Sequence, residues 1–72
     1  MDEKELKKLS ILLEHWIEHN EEHAGEFREW AEKVNEFQNG NVSEKIAAAA
    51  DTMIKANVPL KDAMKALSKG MK

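Results

Sequence analysis

Three observations predict an all-α fold, an antiparallel helical hairpin. Leu9, Leu12, Trp16, His23, Phe27, Trp30, Val34 and Phe37 recur at the spacing of one helix face, with His19 and Asn20 filling the step between Trp16 and His23. A second stripe of the same period follows: Val42, Ile46, Ala49, Met53, Ala56, Leu60, Met64, Leu67 and Met71. Between the two stands Asn39-Gly40-Asn41, the clearest punctuation in the chain.

The first helix is predicted over about 3–38. Asp2, Glu3 and Glu5 lie where the positive end of a helix dipole favours acids, and lysines follow them. No proline interrupts this stretch, and Gly25 is its one weak point. A single glycine costs roughly 1 kcal/mol against alanine, which a helix on the order of 54 Å long can absorb; a break at Gly25 is the alternative. The turn is predicted at 39–41, with Gly40 closing the first helix in a left-handed conformation. Asn41 then caps the second helix, with Glu44 three residues on.

The second half contains Pro59, which lacks an amide proton and disfavours helical geometry at Val58. The stripe nevertheless keeps its phase across Pro59. A kinked helix, or two collinear helices over 42–58 and 59–70, is therefore expected, and not a reversal of direction.

Folding the chain about Gly40 sets Val34 against Ile46, Trp30 against Ala49 and Ala50, and Phe27 against Met53. Trp16 then meets Ala63 and Met64, Leu12 and Leu13 meet Leu67, and Leu9 meets Met71. Large residues fall opposite small ones, as close packing requires. The aromatic residues are accordingly expected in the core. The polar interruption at Asn20 and His23 falls opposite 57–60, around the proline. Because Pro59 leaves the Lys55 carbonyl without its helical donor, His23 or Asn20 could donate to it and form a buried polar layer that fixes register.

With 72 residues the chain makes one domain, 1–72, near the lower limit for a self-sufficient core. Chains of this size need a staple. The absence of cysteine excludes disulfides and thiolate metal sites. What remains is a metal held by nitrogen and oxygen ligands, or self-association. Ile11, Ile17, Ala47, Ala48 and Ile54 lie outside both stripes, and pairing two hairpins into a four-helix bundle would bury them. A homodimer is therefore expected.

The net charge of −3 divides unevenly. Residues 1–41 carry eleven acids and five bases, a net of −6, and 42–72 carry three acids and six bases, a net of +3. Such halves attract each other in a hairpin. No basic groove with interleaved aromatics argues for nucleic acid. The apolar run Ile46–Ala50 is far too short for a membrane span. The acidic, polar opening lacks a secretory pattern, so a soluble, cytoplasmic protein is expected.

The chemistry of the chain resides in His15, His19 and His23, at i, i+4 and i+8. Either neighbouring pair could bind one metal ion through two imidazoles. All three cannot do so from a straight helix, because His15 and His23 are separated by roughly 12 Å of rise. Further ligands must come from Glu18, Glu22 or Glu26, each three residues after a histidine, or from a second copy of the chain. In an antiparallel dimer His19 and His23 of both copies could converge, offering up to four nitrogens. The metal ligands expected are His15, His19, His23 and Glu22. Such a donor set suits zinc, nickel, cobalt or copper(II) without choosing among them.

Other readings have less support. His15-Trp-Ile-Glu-His19 places Trp16 where the glutamate of a zinc-protease motif belongs. Leu12, Trp16 and Asn20 occupy the glutamate positions of the Glu-x-x-His pairs in di-iron bundles. His-x-x-x-His is similar to hemerythrin-like domains, but one histidine-bearing helix cannot supply their ligand set. Ser10, Ser43, Thr52 and Ser68 have no partners that suggest a nucleophile, and no glycine-rich phosphate loop exists.

The run from Leu12 to Val34, with its His-Trp-x-x-His-Asn-x-x-His core, resembles a small, uncharacterised all-helical family of anaerobic archaea and bacteria. The resemblance covers about the first half of the chain. It implies helices, marks His15, His19, Asn20 and His23, and hands over no activity; Gly25 departs from the helix former expected there. Two functions follow from the whole reading. One is a non-enzymatic helical protein that self-associates and binds a divalent transition metal, for handling or sensing. The other is a metal-free helical module that docks a partner protein.

Overall fold

A computed structural model describes residues 2–70. It consists of two helices, α1 (Glu3–Glu36) and α2 (Gly40–Gly70), folded against each other as an antiparallel hairpin of 54 × 15 × 14 Å. Asp2 caps α1, its Oδ1 accepting the Glu5 amide proton at 2.9 Å, and Glu3 and Glu5 occupy the first turn. The helix runs through Gly25 without a break. α2 is likewise one helix, with Pro59 inside it. Met71, expected opposite Leu9, lies outside the described residues.

The turn differs from expectation by one to two positions. α1 ends at Glu36 and α2 begins at Gly40, so the connection is 37–39 and Gly40 is already helical. The left-handed residue is Gln38, at φ 62°, and no glycine has a positive φ among the described residues. The Gln38 N–H donates to Asn35 O at 2.9 Å, and the Asn39 N–H donates to Val34 O at 3.3 Å. These bonds form a Schellman closure around Gln38. Asn39 takes the capping position expected of Asn41, its carbonyl accepting the Ser43 N–H at 3.1 Å. Local hydrogen bonding thus selects the left-handed site by its distance from the last turn of α1, even where the residue there carries a side chain.

The seam is also phased differently from the aromatic stripe. On α1 it runs through Ser10, Leu13, Ile17, Asn20, Ala24, Phe27, Ala31 and Val34. On α2 it runs through Ser43, Ile46, Ala50, Met53, Asn57, Leu60, Met64 and Leu67. Both sets alternate three- and four-residue steps, the repeat of a coiled coil. Ala24 and Ala50 are fully buried, at 0% exposure. Trp16, Trp30 and Phe37 are instead 42%, 58% and 85% exposed. Of the aromatic residues expected in the core, Trp16, Trp30 and Phe37 therefore stand outside it and Phe27 lies half-buried on the seam, while Ile17, expected outside, is buried. The physical reason is size. Two helices alone leave little room between them, so small side chains hold the line of closest approach and bulky ones are displaced to its flank.

Cross-seam bonds centre the fold on the turn at 37–39. Ser43 Oγ donates to the Ala31 carbonyl at 2.8 Å, fastening the first turn of α2 to the end of α1. Arg28 pairs with Asp51 at 3.5 Å and Lys61 with Glu21 at 3.9 Å, linking the acidic helix to the basic one. All four of these side chains are more than half exposed, so the pairs contribute little stability and serve mainly to set the register.

Candidate functional site

Midway along the seam lies one polar layer. Asn20 Nδ2 donates to Asn57 Oδ1 at 2.9 Å, and Asn57 Nδ2 donates to the Ile17 main-chain carbonyl at 3.2 Å. Asn57 is the one buried polar residue among the described residues, at 3% exposure. The expected placement of Asn20 opposite the segment at 57–60 is met. The expected donor–acceptor arrangement is not: α2 supplies a side-chain amide to α1, where a carbonyl had been expected to receive one. Asn57 could have been found as a seam residue, because it stands seven residues from Ala50 and from Met64. The aromatic-phased stripe passed over it.

With the asparagines satisfying each other, the imidazoles take no part in the hydrogen bonds among the described residues. Among the described residues, the side-chain hydrogen bonds engage Asp2, Asn20, Ser43, Thr52 and Asn57. The histidines form a ladder along α1. The ring centroids of His15 and His19 are 4.7 Å apart, those of His19 and His23 5.2 Å, and His23 stacks on Phe27 at 6.3 Å. His15 and His19 are exposed, and His23, nearest the seam, is half-buried. His23 Nδ1 lies 3.9 Å from Glu26 Oε2, beyond hydrogen-bond reach.

Two imidazoles that share a tetrahedral ion at metal–nitrogen distances near 2.0–2.1 Å have ring centres about 5 Å apart. Both histidine pairs meet that separation. The third and fourth ligands are not assembled within one hairpin: among the described residues no group of three or more ligating side chains converges. Glu22 is exposed and forms no ion pair with a histidine among the described residues. Glu26 is the carboxylate that approaches the ladder.

A second feature lies beside the ladder. Phe27, Val42, Lys45, Ile46 and Ala49 line an open groove of about 370 Å³ between the two helices. It lies on the same side of the hairpin as Trp16, His23 and Trp30. Lys33 Nζ sits 4.6 Å above the Trp30 ring. No helix among the described residues is long and apolar enough to cross a membrane.

Fold and site together define an all-α helical hairpin with a buried asparagine layer and an exposed histidine ladder. Residues 9–67, which include that layer and that ladder, match the model of a family described as a domain of unknown function, DUF8180. The chain belongs to that family. No curated protein and no solved structure matches it.

Proposed function

We propose that this chain is a small, non-enzymatic, cytoplasmic protein that self-associates as a homodimer and binds a divalent transition metal, zinc, nickel or cobalt, through the histidine-bearing face of α1. The observation that carries this reading is the division of labour at the middle of α1. Asn20 and Asn57 satisfy the seam, which leaves three adjacent imidazoles at chelating separation outside its hydrogen bonds. The His19–His23 pair is the nucleus of the site, because it lies nearest the apolar side on which a second hairpin would pack. One chain supplies two nitrogens, and a second copy is the source of the remaining ligands. Binding would then be coupled to assembly, which suits metal handling or sensing. Two of the four hydroxyl side chains, Ser43 and Thr52, donate to main-chain carbonyls.

The test is titration of zinc, nickel or cobalt into metal-free protein, read by calorimetry and by mass in solution with and without chelator. Micromolar binding that is lost in His19→Ala and His23→Ala is expected. Unchanged heats in those variants would take the site off the histidine face, and no uptake at micromolar ion would move the protein to the metal-free interaction class.

A further inference from the structure

The heptad column that borders the seam on the groove side reads Leu9, Trp16, His23, Trp30, Phe37, each seven residues from the next. It is a palindrome in size and polarity about His23: tryptophan lies seven residues away on either side, and a large apolar residue fourteen away. A two-fold axis perpendicular to two antiparallel helices pairs residues symmetrically about one position. We infer that two copies pack through this column with the axis at His23. Trp16 of each protomer then meets Trp30 of the partner subunit, and Leu9 meets Phe37 of the partner subunit. This inference rests on the self-association proposed above and specifies its face, direction and register; Ile11, Ala47 and Ile54, expected beneath a second hairpin, lie on the opposite side.

The area, the charge and the shape of this face point to a second copy as its occupant. A folded monomer of this mass exposes about 4,500 Å², whereas the hairpin exposes 5752 Å². The excess of about 1,200 Å² exceeds the roughly 800 Å² that each partner contributes to a standard interface. One 54 × 15 Å side of the rod supplies an area of that size. Heptad position places Glu5, Glu26, Lys33 and Lys45 on this side, so its charges cancel and two copies meet without repulsion. Small residues at Ala49, Ala56 and Ala63 line the α2 edge of the same side and leave room for bulky ones. The register also fills the groove. The level of Trp30 on α1 is the level of Ile46 to Ala49 on α2, so Trp16 of the partner subunit arrives beside the cleft of Phe27, Val42, Ile46 and Ala49.

Oxidative cross-linking of single-cysteine variants of the full chain tests this, since there is no native cysteine to compete. His23→Cys is expected to give a disulfide-linked homodimer, and Ile11→Cys, more accessible but on the far side, is not. Mixed Leu9→Cys and Phe37→Cys chains should link to each other about fivefold more than either links to itself, a readout that leaves His23 intact. Self-linking at both Leu9 and Phe37 would mean parallel packing and overturn the inference. Preferred linking of Leu9→Cys with Lys33→Cys would shift the axis to the midpoint of His19 and His23, and would also overturn it. Sedimentation equilibrium of the unmodified chain separates the two levels of the argument. A monomer at every concentration ends both readings, whereas a dimer that links elsewhere ends only this register.

Discussion

Asn20 and Asn57 face each other across the seam at 2.9 Å, and the second amide proton donor of the pair reaches the Ile17 carbonyl. A layer of this kind is satisfied in one alignment of the helices and broken in its neighbours. A one-heptad slip would set Asn57 against Phe27 or Leu13, where no side-chain partner exists. Asn57→Ala is therefore expected to destabilise the hairpin by about 1–3 kcal/mol, read as a lower urea midpoint. Replacing both asparagines by leucine should raise the midpoint and lose the single alignment, visible as broadened side-chain resonances.

Ala24 tests the phase of the core. Its side chain is fully buried at the line of closest approach. Ala24→Leu should cost about 1–3 kcal/mol through overpacking. Leucine ranks next after alanine as a helix former, so a loss of this size measured by chemical denaturation reports packing and not helix propensity.

Gly25 adjoins that contact but points to open space, and a methyl group added there meets nothing within 4 Å. Gly25→Ala is expected to stabilise the chain by roughly 0.5–1 kcal/mol, seen as a rise in the thermal midpoint.

Gln38 holds a left-handed conformation at φ 62° in the Schellman closure. Glycine adopts that region without the clash that a Cβ brings, worth roughly 1 kcal/mol. Gln38→Gly should therefore stabilise the hairpin, and Gln38→Val, β-branched, should destabilise it. Equilibrium denaturation of the pair distinguishes a strained turn from a relaxed one.

Trp16 and Trp30 separate stability from assembly. Both stand partly exposed beside the seam. Trp16→Ala should leave far-UV circular dichroism of the hairpin close to unchanged while weakening self-association by at least about thirtyfold, the equivalent of about 2 kcal/mol at a binding hot spot. Sedimentation equilibrium provides the measurement. Loss of helicity in dilute solution would return Trp16 to the hairpin's own core.

Much of the fold was legible in the sequence because helix formation and chain reversal are local properties. The apolar period announced two helices, Asp2 and the early glutamates announced where α1 starts, and the asparagine–glycine cluster announced the turn to within two positions. Pro59 was correctly read as no obstacle to direction. The candidate site was legible only in part. The four-residue spacing of His15, His19 and His23 already implies adjacent rings on one helix. It does not reveal which of the neighbouring polar residues the seam consumes.

The sequence by itself therefore determined the elements, their antiparallel pairing and the meeting of Asn20 with the proline region, all of which follow from period and chain length. Only the tertiary structure decided which edge of each apolar stripe is inside. Leu9-to-Phe37 periodicity fits a seam through Trp16 and Trp30 as well as one through Ile17, Ala24 and Ala31, since the two differ by a rotation of about 100°. Two helices choose between them by the distance at which their backbones can approach, and that distance admits alanine and excludes indole. The outcome buries Asn57, releases the imidazoles and leaves the tryptophans on the surface.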